Sequence, residues 1–203
     1  VPSPESDGVV FTGRLSVQAQ PWLADHVVLG QVVVPGTALV EMVLRAGEEV
    51  GCGVVEELTL LAPLVVGVRG VRVQVVVDGR VVGVFSDGGE GWVKHVEAVL
   101  GVEGGEPGFD LMQWPPVGAE VVDVAGFYEG LAEAGLVYGP AFQGVGALWR
   151  RGEEVFAEVS GALSGEGDGY GLHPAVFDAA LHAVALTGVA QGAAMPFAWS
   201  GVR

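Results

Sequence analysis

Apolar and polar positions alternate or cluster along the chain in ways that mark its elements. Residues 9–18, VVFTGRLSVQ, alternate well enough for a strand. An extended apolar run, Val27 to Val34, follows His26 and stops at Pro35-Gly36. Beyond it, Thr37, Ala38, Leu39, Val40, Met42, Val43, Leu44 and Ala46 form an apolar face too wide for a half-exposed helix. The pattern predicts a buried helix wrapped by sheet. A proline at its start loses no hydrogen bond, because that N–H would have no intrahelical partner. Gly51 and Gly53, on either side of Cys52, stop the helix. Strand-like runs follow at 54–66 and 71–77, and Asp78-Gly79 is expected to turn the chain into a strand at 80–86. A glycine-rich turn at 87–91 then leads to a strand from Trp92 to Val99.

Residues 101–122 change character, being rich in Gly and Pro with no sustained period, and mark a boundary. A short helix is predicted over 123–134, with Asp123 as N-cap and Gly135 as its stop. A hairpin, 144–150 and 154–160, precedes the loop SGEGDGYG. The second major helix is predicted from His173 to Thr187, closed by Gly188. Each half therefore carries one long apolar helix and several antiparallel strands, alike in plan though not in sequence. The fold class is α+β, with 1–102 and 123–203 as the two halves and 103–122 as the linker.

Composition narrows the class of protein. Half of the 203 residues are hydrophobic, enough for a sizeable core without staples. The single cysteine, Cys52, cannot form an internal disulfide and suits a reducing, cytoplasmic setting. No run approaches the roughly 18 apolar residues of a membrane span. The opening VPSPESDG lacks a basic then apolar leader, and with no initiator methionine it reads as a linker in a piece of a longer polypeptide. Net charge is −16 with nine Lys and Arg, which excludes nucleic acid and anionic membrane surfaces as partners. No HExxH, P-loop, GxGxxG or GxSxG pattern occurs, so neither metal, nucleotide cofactor nor serine nucleophile is expected.

His26 and Asp178 offer a possible base and a possible acid. His26 precedes extended chain that ends at a helix start, and a neutral imidazole near its titration point suits a general base. Alone, a histidine beside apolar residues is more often structural. The free N–H groups of the first helical turn, with Gly36 allowing close approach, could meet a carbonyl oxygen gaining negative charge. Asp178 lies within Ala175-Val176-Phe177-Asp178-Ala179-Ala180-Leu181, where an ionised carboxylate is costly unless paired. A protonated acid there can deliver a proton to a departing hydroxyl; the plain alternative is a solvent-facing aspartate. His182 lies one helical turn later on the same face. Tyr138-Gly139-Pro140 forms a tight turn with a hydroxyl at its edge. His95 reads as structural, and His173, ahead of Pro174, as a helix cap.

His26-x-x-x-Gly30-x-x-x-x-Pro35 resembles the HxxxGxxxxP motif of dehydratase domains of modular type I polyketide synthases. Gly135-Leu136-Val137-Tyr138-Gly139-Pro140-Ala141-Phe142 is similar to that family's YGPxF motif. Asp178-Ala179-Ala180-Leu181-His182 resembles its DxxxQ/H motif, and Met195-Pro196-Phe197-Ala198-Trp199 its LPFxW. One such match would be weak; four in the family's order carry weight. The resemblance implies a double hotdog, two antiparallel sheets each wrapped around a long helix. The family continues with strands after LPFxW, so the second hotdog is expected to be incomplete at the C-terminus. It further implies a 3-hydroxyacyl-[acyl-carrier-protein] dehydratase, with His26 as base and Asp178 as proton donor. Gly36, Tyr138, Gly139, Pro140 and His182 would surround the substrate. No cofactor would be bound; the substrate would ride on the phosphopantetheine of an acyl carrier protein. Partners would be that carrier and neighbouring domains of the multienzyme, with pairing into a homodimer. An acidic carrier would be repelled at long range, so tethering and the basic spot Arg150-Arg151 would have to bring it in. The same site could instead isomerise a double bond or close a ring, and a third reading is a non-catalytic scaffold; a hotdog thioesterase fits the motifs least.

Overall fold

The computed structural model describes residues 8–102, 112–161, 169–184 and 196–203. The chain divides into two compact units. The first comprises Val1–Ala24, Gln31–Gly104 and Pro196–Arg203, and the second Asp25–Gly30 and Gly105–Met195. The units pass from one to the other within the Gly/Pro-rich 103–122 stretch, but they are not contiguous halves. Strand pairing assigns 25–30 to the later unit and 196–203 to the earlier one.

In the first unit, β1 (Val9–Leu15), β4 (Val54–Leu60), β5 (Val71–Asp78), β6 (Val81–Asp87), β7 (Trp92–Gly101) and β12 (Ala198–Val202) form one antiparallel sheet in the order β1-β5-β6-β7-β4-β12. Helix α1 (Gly36–Glu48) packs on β4, β5, β6 and β7. Leu39, Val40, Val43 and Ala46 are buried on it, along with Thr37. They face a sheet whose β5 alternates buried Val71, Val73, Val75 and Val77 with more exposed residues. This is the apolar helix and half-buried sheet that the two periodicities predict. The hairpin between β5 and β6 turns at Gly79-Arg80, one residue later than expected, because Asp78 still pairs with Val81.

Two expectations change here. The apolar run after His26 is not one strand. It forms β2 (His26–Val28) and β3 (Gln31–Val32), separated by Leu29 and Gly30, both at positive φ (49° and 79°). Consecutive left-handed residues turn the chain back on itself. Nothing lies within 4 Å of where a Cβ on Gly30 would stand, so this glycine serves the turn and not close packing. The second change concerns the helix predicted over 123–134. It is α2, Phe127–Glu133, preceded by Gly126 in the left-handed region. Asp123 caps only its own turn, accepting from the Ala125 N–H at 2.9 Å.

In the second unit, β8 (Glu120–Val122), β10 (Val145–Arg151) and β11 (Glu154–Val159) form a sheet in the order β11-β10-β8. The first of these strands lies within the predicted linker. Helix α3 (Pro174–His182) packs on β10 and β11. The predicted extension of α3 through Thr187 to Gly188, the loop SGEGDGYG for the most part, and Met195 lie outside the described residues. Strand β9 (Leu136–Tyr138) pairs antiparallel with β2, setting His26 opposite Tyr138.

Candidate active site

The second unit brings together most of the residues singled out by sequence. His26 opens β2 and is 3% exposed. Its Nε2 lies 3.8 Å from Asp178 Oδ2, a carboxylate 13% exposed on α3. Asp178 Oδ2 is also 3.0 Å from His182 Nε2, one helical turn on. The expected spacing on one helix face thus produces a direct contact. Asp178 does not sit among apolar side chains alone; two buried imidazoles flank the same oxygen.

Tyr138 ends β9. Its ring centroid is 4.1 Å from that of His182 and 5.6 Å from that of His26. Burial, then the nearby Asp178 and Tyr128, push the Tyr138 hydroxyl well above its ordinary range, so it stays a neutral donor at any working pH. The turn after it is held from the other motif. The Gly139 N–H donates to the Asp25 carbonyl at 2.7 Å, and the Ala141 N–H donates to Asp25 Oδ2 at 2.9 Å. A Cβ on Gly139 would overlap the Asp25 carboxyl, which is why this position takes glycine. Pro140 lies inside this turn, closed by the Phe142 N–H donating to the Gly139 carbonyl at 3.0 Å. Phe142 is fully buried, with its ring 5.1 Å from His26. An aspartate adjoining the histidine therefore staples the tyrosine turn in place.

Gly36 belongs to the first unit, as the first residue of α1. A Cβ there would meet Trp199 Cη2 at 2.6 Å and Leu60 Cδ1 at 3.2 Å, so the glycine admits the tryptophan of the MPFAW stretch. Pro35 precedes the helix at φ −62° and its carbonyl accepts from the Ala38 N–H at 3.0 Å.

Two residues of the site escaped the sequence reading. Asp25 is one; its position directly before His26 was the available signal. The other is Tyr128 on α2. Its hydroxyl donates to the Phe142 carbonyl at 3.2 Å, accepts from the Val145 N–H at 3.1 Å, and lies 3.5 Å from His182 Nδ1. Burial raises its ionisation above the usual tyrosine range. Nothing in the local pattern distinguishes it from a core tyrosine. The remaining histidines are structural, as expected. His173 Nδ1 accepts from the Ala175 N–H at 3.1 Å as the cap of α3. His95 bridges Ser86 Oγ (2.7 Å) and the Ala62 carbonyl (3.0 Å).

The arrangement sets an imidazole and a carboxyl 3.8 Å apart, both largely buried. A family model described as "Polyketide synthase dehydratase domain" matches residues 1–86, and one described as "Polyketide synthase dehydratase N-terminal domain" matches residues 106–203. The chain is 54% identical over 210 residues to the mycoketide-CoA synthase of Mycobacterium tuberculosis, covering 98% of this chain and 5% of that protein. The solved structure of a dehydratase from work on substrate selection in the borrelidin and fluvirucin polyketide synthases superposes with TM-score 0.93 at 49% identity, covering 99% of this chain and 76% of that one. The dehydratase domain from the terminal module of the rifamycin polyketide synthase gives TM-score 0.90 at 46% identity, with 99% and 78% covered. The chain belongs to the dehydratase domains of modular type I polyketide synthases. Its fold is their double hotdog, and its class is that of hydro-lyases acting on β-hydroxyacyl thioesters. It spans only a small part of its curated relatives, 5% of the mycobacterial synthase and 6% of a pikromycin synthase component from Streptomyces venezuelae. These relatives are large polyketide synthases of which the matching stretch is one part.

Proposed function

We propose that this domain dehydrates a β-hydroxyacyl chain carried on the phosphopantetheine of an acyl carrier protein, with His26 and Asp178 as its base and acid. His26 Nε2 takes the α-proton, and the thioester carbonyl gathers charge as the enolate forms. Asp178 gives its proton to the β-hydroxyl, water leaves, and an α,β-unsaturated thioester remains. The Gly36 amide, at the N-terminus of α1, is the candidate donor to the thioester oxygen. His182 orients Asp178. Tyr138, with Gly139 and Pro140 shaping its turn, offers a neutral hydroxyl to the substrate's oxygen.

The observation that supports this reading best is the 3.8 Å separation of two buried groups, one imidazole and one carboxyl. That spacing is too short for a carbon chain to pass between them. The substrate would lie alongside, presenting its α-hydrogen and β-hydroxyl on one face, so the elimination is syn. A β-hydroxyacyl thioester with deuterium at one α-position tests this, by whether the label leaves with the hydroxyl of matching face. The base assignment is tested by His26→Ala, which should lower the dehydration rate roughly 10²–10⁴-fold; a rate equal to that of the parent sinks it.

The expected setting is cytoplasmic, within a paired multienzyme. Among the described residues no helix is long and apolar enough to cross a membrane. The basic spot offered to an acidic carrier is partly committed, since Arg151 Nε pairs with Glu154 Oε2 at 2.9 Å. Arg150 donates from Nε to the Gly152 carbonyl at 2.9 Å. A carrier would meet a weak docking surface, made sufficient by tethering in one polypeptide.

A further inference from the structure

We propose that the corner of the first unit holding Arg14, Arg69 and Arg72 is the surface that receives the acidic face of the acyl carrier protein. The inference rests on the carrier-borne substrate argued above and names where that carrier sits. A chain of net charge −16 repels an acidic partner over most of its surface, so a local reversal of sign is what such a partner can find. Residues 8–24 and 58–77, which include these three arginines, contain no acidic residue. Strand pairing lays the two stretches side by side, β1 against β5, with Arg14 directly opposite Arg72. Like charges opposite one another weaken a strand pair, and the pairing of Arg72 with Asp87 offsets this for Arg72 alone.

All three side chains are exposed, and two are fixed in place. Arg14 Nη2 donates to the Arg69 carbonyl, a neutral partner that sets the guanidinium beside residue 69 and leaves its charge uncompensated. Arg72 lies over the Trp92 ring, 5.6 Å from its centroid. Arg69 stands in a turn, 67–70, closed by the Gly70 N–H donating to the Gly67 carbonyl at 2.8 Å, with Val68 beside it 99% exposed. Among the described residues, Arg45, Arg80, Lys94 and Arg151 each meet an acidic side chain at ion-pair distance, whereas Arg14 and Arg69 meet none. The Arg150-Arg151 spot fares worse, since Arg150 stands opposite Glu120 and Arg151 pairs with Glu154. The arginine corner also lies beside the chain that delivers the Gly36 amide. Val65 bridges Val33, and the Val66 N–H donates to the Val32 carbonyl at 2.9 Å. Arg69 follows Val65 by four residues, a span of at most about 14 Å.

Rates on two substrates test this: a β-hydroxyacyl chain on a separate acyl carrier protein, and the same chain on N-acetylcysteamine, which has no protein to dock. Arg69→Glu should lower kcat/KM for the carrier-borne substrate on the order of fivefold and leave the small thioester within about twofold of the parent. Parent and variant should converge as salt rises to about 1 M, where exposed charges are screened beyond roughly 3 Å. Arg150→Glu should leave both substrates near the parent rate. An unchanged rate of Arg69→Glu on the carrier-borne substrate, an equal loss on both substrates, or a greater loss in Arg150→Glu overturns the proposal. Failure of the dehydratase reading shows separately, as a parent inert on both substrates. Carrier binding, followed by NMR titration of the carrier, then still decides the matter: an equal Kd for parent and Arg69→Glu overturns the docking surface, and a Kd weakened by the same factor supports it.

Discussion

The two units share a plan, a helix packed on antiparallel strands, yet their helices differ in how much of what they bury is apolar. Helix α1 buries Leu39, Val40, Val43 and Ala46 against a six-stranded sheet. Helix α3 buries Ala175 and Ala179, and alongside them His182, with Asp178 almost covered. Among the described residues of the second unit, Val145, Leu148 and Ala183 form one buried cluster with partly buried residues around them. Helix α1 therefore packs mainly through apolar side chains, with Thr37 and Glu41 covered among them, whereas α3 covers a histidine and most of an aspartate beside small apolar residues. The lesson is that a site of buried polar groups is kept by contacts specific enough to satisfy each one, because an unsatisfied group there costs more than the apolar packing it displaces.

Exchanging roles between the helices should break this contrast most visibly at the chemistry. Asp178→Asn is expected to lower the dehydration rate roughly 10²–10⁴-fold with the thermal midpoint nearly unchanged, measured by steady-state kinetics beside a melting curve. Leu39→Ala on α1 should do the reverse. It should cost about 2–5 kcal/mol of stability by denaturant titration, while turnover per folded molecule stays close to the parent's. Gly139→Ala sharpens the comparison, since its Cβ would displace the Asp25 carboxyl that holds the Tyr138 turn. It should destabilise by about 1–3 kcal/mol and also reduce turnover, a double effect that Leu39→Ala should not show. The smallest effect belongs to Asp87 on β6. The Gly89 N–H above all holds its carboxyl below the ordinary range; burial pushes the other way and is next in size, and the Gly91 N–H and the charge of Arg72 add to the lowering. A carboxyl lowered by folding adds stability above its unfolded pKa, about 3.9, and loses it as pH falls through the lower folded value. The stability difference between the parent and Asp87→Asn should accordingly shrink as pH falls below about 4, followed by denaturation at stepped pH.

Much of this was legible in advance because it is local. The width of the apolar face over 37–46 requires a covered helix, and alternation over 71–77 requires a strand with one dry face. Spacing of four put Asp178 and His182 on one face. The helix over 123–134 was misplaced because an Asx-type cap and a left-handed glycine compete for the same start, and local preference does not decide between them. The run after His26 was misread because a buried apolar turn and a buried strand have the same composition; only the positive φ of Leu29 and Gly30 separates them.

By itself the sequence determined the class of the fold, the identity of the acid and base candidates, and the family to which they belong. Those follow from period, residue type and motif order, all of which are one-dimensional. Tertiary structure alone decided that 25–30 joins the later unit and 196–203 the earlier, through the pairing of β2 with β9 and of β12 with β4. It alone set His26 3.8 Å from a carboxyl that lies 152 positions along the chain, and revealed Asp25 and Tyr128 as the groups that hold the site. Hydrogen bonds between distant segments leave no trace in the local pattern, because each partner is an ordinary residue until the chain folds.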